Sequence, residues 1–131
     1  MPVIDASAAV DLLLGTDLGE RVDAALSDVL SLDAPQLIDF EVASALRRLE
    51  ALGKLESSRA VQALTDFLAL SIIRYPARAL LPRMWELRRR MTAYDASYVA
   101  LAEALQLPLV TTDSRLARAG GHRAEILSIG A

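Results

Sequence analysis

Apolar residues fall into two rhythms along this chain. Short, nearly unbroken apolar runs stand at Val3-Ile4, around Ile72-Ile73, at Leu109-Val110 and around Ile126-Leu127. Between them apolar residues recur at helical spacing: Val22, Ala25, Leu26 and Val29; Val42, Ala45, Leu46, Leu49 and Leu52; Val61, Leu64 and Leu68. Solid runs read as buried strands, and i, i+3, i+4 spacing reads as one face of a helix. The pattern predicts strands over residues 3–5, 31–34, 71–75, 107–111 and 126–129. It predicts helices over 7–14 and 18–29, one opened by Pro35 and ended by Gly53, and one starting at Ser57 or Ser58. Three more are predicted over 80–91, 95–105 and 113–118, the last closed by Gly120-Gly121. Strands that alternate with helices, and are too apolar to alternate internally, indicate an α/β sandwich around a parallel sheet.

Composition narrows the class. A chain of 131 residues, 53% hydrophobic and 24% charged, has the composition of a folded globular domain, so one domain over residues 1–131 is expected. The absence of cysteine removes disulfide frameworks and thiolate chemistry. No apolar run reaches the ~20 residues of a membrane span. The stretch MPVIDASAAVDLLLG carries two acids and no basic segment, unlike a signal peptide, so a cytoplasmic location is expected. The net charge of −3 hides an asymmetry: residues 1–46 hold nine acids and one Arg (−8), residues 47–131 thirteen bases and eight acids (+5). That polarity changes little, because an acidic protein does not advertise affinity for polyanions.

Candidate chemistry lies in four acids. Asp5 follows the first strand and Asp113 the fourth, at the carboxyl ends where parallel sheets bind ligands. Asp95 opens a helix, and Glu41 sits early in the helix after the second strand. Each alone has a structural reading: Asp5 and Asp95 as helix caps, Asp113 as a turn residue, Glu41 as a solvated helix residue. Ser7, Thr111 and Thr112 read as caps or strand-end hydroxyls, though they also suit holding metal-bound waters. Together the acids would repel by roughly 4 kcal/mol per close pair at an intermediate dielectric. Such a cluster persists when protons or cations neutralise it. With no cysteine and a single histidine, a hard oxygen-liganded ion such as Mg²⁺ or Mn²⁺ is the natural partner.

The segments VIDASA, FEVASALRRL, TAYDASYVALAE and LVTTDSRL, in this order and at these intervals, resemble the four acidic motifs of PIN-domain nucleases. In particular they resemble those of the VapC toxins of bacterial VapBC toxin–antitoxin pairs. The resemblance runs essentially end to end. It implies a three-layer α/β/α fold with a central parallel sheet. It implies an acidic pocket of Asp5, Glu41, Asp95 and Asp113, with Thr111 in the Thr-x-Asp hydroxyl position and Ser7 nearby. The implied activity is Mg²⁺-dependent endonucleolytic cleavage of RNA, with Mn²⁺ substituting, by a metal-activated water. The implied partners are a small VapB-like antitoxin and a second copy of the chain as homodimer. Asp11 and Asp39 fall outside the pattern and read as surface and helix-end residues.

An acidic pocket that handles RNA needs positive charge at its rim. Arg88, Arg89 and Arg90 precede Asp95 and are the first RNA-contact candidates. In a helix, residues ~100° apart cannot all share a face, and a solvated face is the competing reading. Arg47 and Arg48 follow Glu41, and Arg115 and Arg118 follow Asp113. Trp85 reads as core, and His122 as a surface residue rather than a base. A phosphoacceptor receiver domain would place a Lys at a late strand end, whereas Lys54 lies between helices. A haloacid-dehalogenase-like phosphatase would have an acid where Ser7 stands, and no Gly-rich phosphate loop occurs. The alternative from another class is a catalytically silent PIN-like module that acts by binding a protein; a DNA-directed nuclease is the third.

Overall fold

Five short strands pair side by side, all parallel, in a computed structural model that describes residues 1–130. They are β1 (Val3–Ile4), β2 (Leu32–Pro35), β3 (Ile72–Tyr75), β4 (Leu109–Thr111) and β5 (Ile126–Ser128). Their order is β3-β2-β1-β4-β5. The chain lays β1, β2 and β3 outward in one direction, then returns to place β4 on the other side of β1. Ile4 stands opposite Val110 in that pairing. The strand ends of β1 and β4 therefore flank the switch point of the sheet, where the crevice of an open parallel sheet opens.

Helices cover both faces. Helix α1 (Ala6–Leu14) packs on α2 (Asp17–Ala25), α3 (Leu37–Ala51) and α4 (Ser57–Ala69). On the opposite side α6 (Ala93–Leu105) packs on β1, β2 and β4 and on the short α5 (Leu81–Glu86). Helix α7 (Ser114–Arg118) leads into the edge strand β5. This is the expected three-layer α/β/α sandwich. Val3, Ile4, Leu109 and Val110 are wholly enclosed between the layers, as their unbroken apolar runs require. Among the described residues no helix is long and apolar enough to cross a membrane.

Element ends depart from the sequence pattern for identifiable reasons. Pro35 closes β2 instead of opening a helix, and α3 begins at Leu37. The helix expected over 18–29 stops at Ala25, with Leu26, Ser27 and Val29 held by turn hydrogen bonds. The helix expected over 80–91 is a 3-10 turn, Arg78–Leu80, followed by α5 alone. Its tail tightens through short-range bonds such as Arg88 N–H to Trp85 O (3.2 Å) and Arg90 N–H to Leu87 O (2.9 Å), because Thr92 must start a new helix. Helix α4 turns Ala63 and Phe67 inward and leaves Val61, Leu64 and Leu68 exposed.

Candidate active site

The helix of Asp95 begins earlier than its acid suggests. Thr92 is the N-cap of α6, its hydroxyl accepting the Asp95 N–H at 3.2 Å. The Asp95 carboxylate is thereby free of capping duty, sits in the first turn of the helix, and lines a cleft of about 430 Å³. Asp5, Glu41 and Asp113 line the same cleft. It opens at the switch point between β1 and β4, so all four acids singled out in the sequence meet there.

Asp5 is the most enclosed of the four. It caps α1, taking the Ala8 N–H on Oδ1 at 2.9 Å, and Ser7 Oγ donates to the same oxygen at 2.7 Å. Thr111 Oγ1 donates to Oδ2. Three of the roughly four acceptor positions of a carboxylate are thus filled. Burial still outweighs these bonds and pushes the carboxyl up to about 6. Thr111 also receives the Asp113 N–H at 2.9 Å, which ties the β4 end to Asp5. Ser7 and Thr111 therefore hold Asp5 in place. Thr112 turns elsewhere and donates to Asp11 Oδ2 at 2.7 Å.

The remaining acids differ in their surroundings. Glu41, on α3, accepts the Tyr98 hydroxyl at 2.6 Å; burial raises its carboxyl, the Tyr98 bond opposes this, and Asp95 adds to the rise. Asp95 is raised by burial and then by Asp113. For Asp113 burial also pulls upward, but hydrogen bonds from the Arg115 guanidinium (3.2 Å) and backbone N–H (2.9 Å) prevail and hold it low. Tyr98 is driven far above its ordinary value by burial and by Glu41, so it acts only as a donor. Arg115 thus pairs with Asp113 and offsets Asp95 only in part, while no cation bonds to Asp5 or Glu41 among the described residues.

Some lining residues escaped the sequence reading. Asp11, which falls outside the motifs and is expected at the surface, borders the cleft and receives the hydroxyls of Thr112 and Thr16, the latter at 2.8 Å. Tyr98 stands three residues after Asp95 on the same helix face, a spacing that would have pointed to it. Arg48 and Arg115 supply the cleft's two cations. Asp39 is the helix-end residue expected, paired with Arg74 at 2.8 Å. Trp85 is not core: it is 67% exposed, with the Arg88 guanidinium 4.5 Å from its ring centre. His122 is half-buried in its own loop, between Ala119 O and Ala124 N–H at 3.1 Å each, and does not border the cleft.

The donor set is hard and all-oxygen, which suits Mg²⁺ or Mn²⁺. Among the described residues no three acids converge tightly enough to enclose an ion. That openness fits Mg²⁺, which keeps most of its waters and takes one or two carboxylates along with substrate phosphate. The free acceptor position on Asp5, the uncompensated charge of Glu41 and the partly offset charge of Asp95 are the features such an ion would use.

Residues 3–122 match the family described as PIN domain. The chain belongs to the PIN-domain family. It is 45% identical over 120 residues to "Ribonuclease VapC9" of Mycobacterium tuberculosis, covering 92% of this chain and 91% of that protein. It is 40% identical over 126 residues to "Ribonuclease VapC12" of the same species, covering 96% and 97%. This PIN-domain chain also superimposes on the crystal structure of PAE2754 from Pyrobaculum aerophilum. The TM-score is 0.66 at 28% identity, over 95% of this chain and 81% of that one.

Proposed function

We propose that this PIN-domain protein is a VapC-type toxin, a metal-dependent endoribonuclease that hydrolyses RNA phosphodiester bonds and works as one domain over residues 1–131. The observation that carries this reading is the meeting of Asp5, Glu41, Asp95 and Asp113 on one cleft at the switch point. The ribonuclease names of the relatives support it.

Asp5, Glu41, Asp95 and Asp113 are the residues that would hold Mg²⁺, with Mn²⁺ as substitute. When bound, a divalent ion neutralises the pocket, lowers the pKa of a water and stabilises charge on phosphate. The chain itself does the positioning. Ser7 and Thr111 clamp Asp5, which lines the cleft, and Thr112 braces the β4 end through Asp11. The Tyr98 hydroxyl fixes the Glu41 carboxylate. Arg88, Arg89 and Arg90 stand outside the cleft as contacts for RNA phosphates. The partners are RNA, a VapB-like antitoxin that covers the acidic cleft, and a second copy in a homodimer; the setting is the cytoplasm.

The test is cleavage of RNA by the purified protein in Mg²⁺, with EDTA as control and DNA in parallel. RNA is expected to be cut only with metal. Loss of the cleavage in EDTA but equal cutting of DNA would redirect the substrate. No RNA cleavage under any metal would return the chain to the protein-binding reading.

A further inference from the structure

Beside the acidic cleft lies a second cavity, of about 310 Å³, with the opposite sign of charge. Arg90, Arg115 and Arg118 line it, with Asp95 as the only acid and Met91 and Leu116 as apolar lining. Three guanidinium groups against one carboxylate leave a formal +2, or +1 once the pairing of Arg115 with Asp113 is counted. The main cleft carries five acids (Asp5, Asp11, Glu41, Asp95, Asp113) against Arg48 and Arg115, a formal −3. The two cavities share Asp95 and Arg115, so charge changes sign across one pair of side chains.

The arginines are placed, not merely present. Residues 88–90 lie in the turns after α5, where Arg88 and Arg90 take different settings and Arg89 is exposed. Arg88 stacks on Trp85. Arg90 alone of the three lines the cavity, its stem lying on Gly121. A Cβ at Gly121 would come within 3.0 Å of Arg90 Cγ, and the φ of +83° there also favours glycine. That turn is anchored in its own right, since Arg83 donates to Gly121 O at 3.3 Å while pairing with Glu103 at 2.7 Å. Among the described residues neither Arg90 nor Arg118 pairs with an acid. Their forked donors remain available, and an arginine fork matches the oxygens of a phosphate.

We propose that Arg90, Arg115 and Arg118 form a subsite for a flanking phosphate of the RNA strand whose scissile phosphate occupies the acidic cleft. The inference rests on the nuclease reading and adds where the strand leaves the cleft. An acidic cleft repels a phosphodiester chain at every position except the one a cation serves. A cationic cavity sharing its wall offsets that repulsion one step along the strand. Met91, half-buried at the cavity, then gives the adjoining sugar an apolar surface.

The test uses the full chain in EDTA, where nothing is cut, and a 5′-phosphorylated RNA trinucleotide, with binding followed by fluorescence anisotropy. Arg90→Gln and Arg118→Gln are each expected to weaken binding ~10-fold, the equivalent of one lost charge-assisted bond. Removing the 5′-phosphate should weaken the parent similarly and the variants hardly at all. Variants that bind like the parent, or a parent indifferent to the 5′-phosphate, would overturn the subsite. So would an acidic peptide of equal charge that competes as well as the RNA, which would assign the cavity to a protein partner. Cleavage of a longer RNA in Mg²⁺ is read in parallel. Intact cleavage with no such binding pattern removes the subsite alone, whereas no cleavage by the parent removes the nuclease reading and the subsite with it.

Discussion

At the scale of single residues, cap and ligand are separable duties, and the site divides them in two ways. Asp95 leaves capping to Thr92, so its charge is not needed for its helix. Asp95→Asn is therefore expected to fold as the parent does, and to lose RNA cleavage by more than ~100-fold, beyond the loss typical of a partner one shell out. Circular dichroism and a cleavage assay check this; a folded variant with half the parent's activity would end the assignment of position 95. Asp5 combines both duties, and its enclosure has a pH signature. Its carboxyl stands at about 6 in the fold against 3.8 for the free group. Between these values the folded state keeps a proton that the unfolded chain has released. Stability thus falls as pH rises through this window and levels off above it. The slope contributed by one proton is at most ~1.4 kcal/mol per pH unit. Urea denaturation of the metal-free protein across pH 4–6 should show this loss, and Asp5→Asn should flatten it whatever its absolute stability. An unaltered slope would mean that Asp5 titrates normally.

At the scale of elements, packing chooses among apolar faces that periodicity leaves equivalent. Helix α4 carries two: Val61, Leu64 and Leu68, and Ala63 with Phe67. The spacing marked the first, and the fold buries the second, Phe67 being 2% exposed and Leu68 74%. Ala63 and Phe67 form the buried face of α4, which packs on α1 and α3, and the Arg74 guanidinium lies 5.5 Å from the Phe67 ring centre. Phe67→Ala is expected to cost about 3 kcal/mol or more through the cavity it leaves. Leu68→Ala should stay within about 0.5 kcal/mol. Chemical denaturation of both variants measures the contrast, and similar losses for the two would mean that Leu68 is covered, as by a second chain. Helix α5 shows the same limit, since its tail was cut short by the demands of the next helix.

At the scale of the whole molecule, the topology gathers anions that the chain keeps far apart. Asp5 and Asp113 are separated by most of the sequence, yet β1 and β4 are neighbours, and Thr111 bridges them. Gathering them costs stability, which a cation bound there would restore. Millimolar Mg²⁺ is expected to raise the melting temperature of the parent, since a ligand specific to the native state stabilises it by RT ln(1 + [L]/Kd). The gain should shrink in Asp5→Asn and Asp95→Asn, whose metal-free forms have less repulsion to relieve. Calorimetry with Mg²⁺ and EDTA gives the comparison; a parent whose melting temperature ignores the metal would count against the acidic cleft as its site.

The sequence by itself determined the class of fold, because solid apolar strands between amphipathic helices have few other ways to be buried. It also marked Asp5, Glu41, Asp95 and Asp113, since acids at strand and helix ends are visible as punctuation in an apolar pattern. Their gathering in one cleft followed from strand order, which local pattern does not carry. Only the tertiary structure decided which hydroxyl serves which carboxylate, that Asp11 and Tyr98 belong to the cleft, that Trp85 faces water, and that the three consecutive arginines part company. These outcomes depend on contacts between residues far apart in the chain, such as Tyr98 with Glu41 or Thr112 with Asp11. Periodicity records which side of an element is apolar; it does not record what stands opposite.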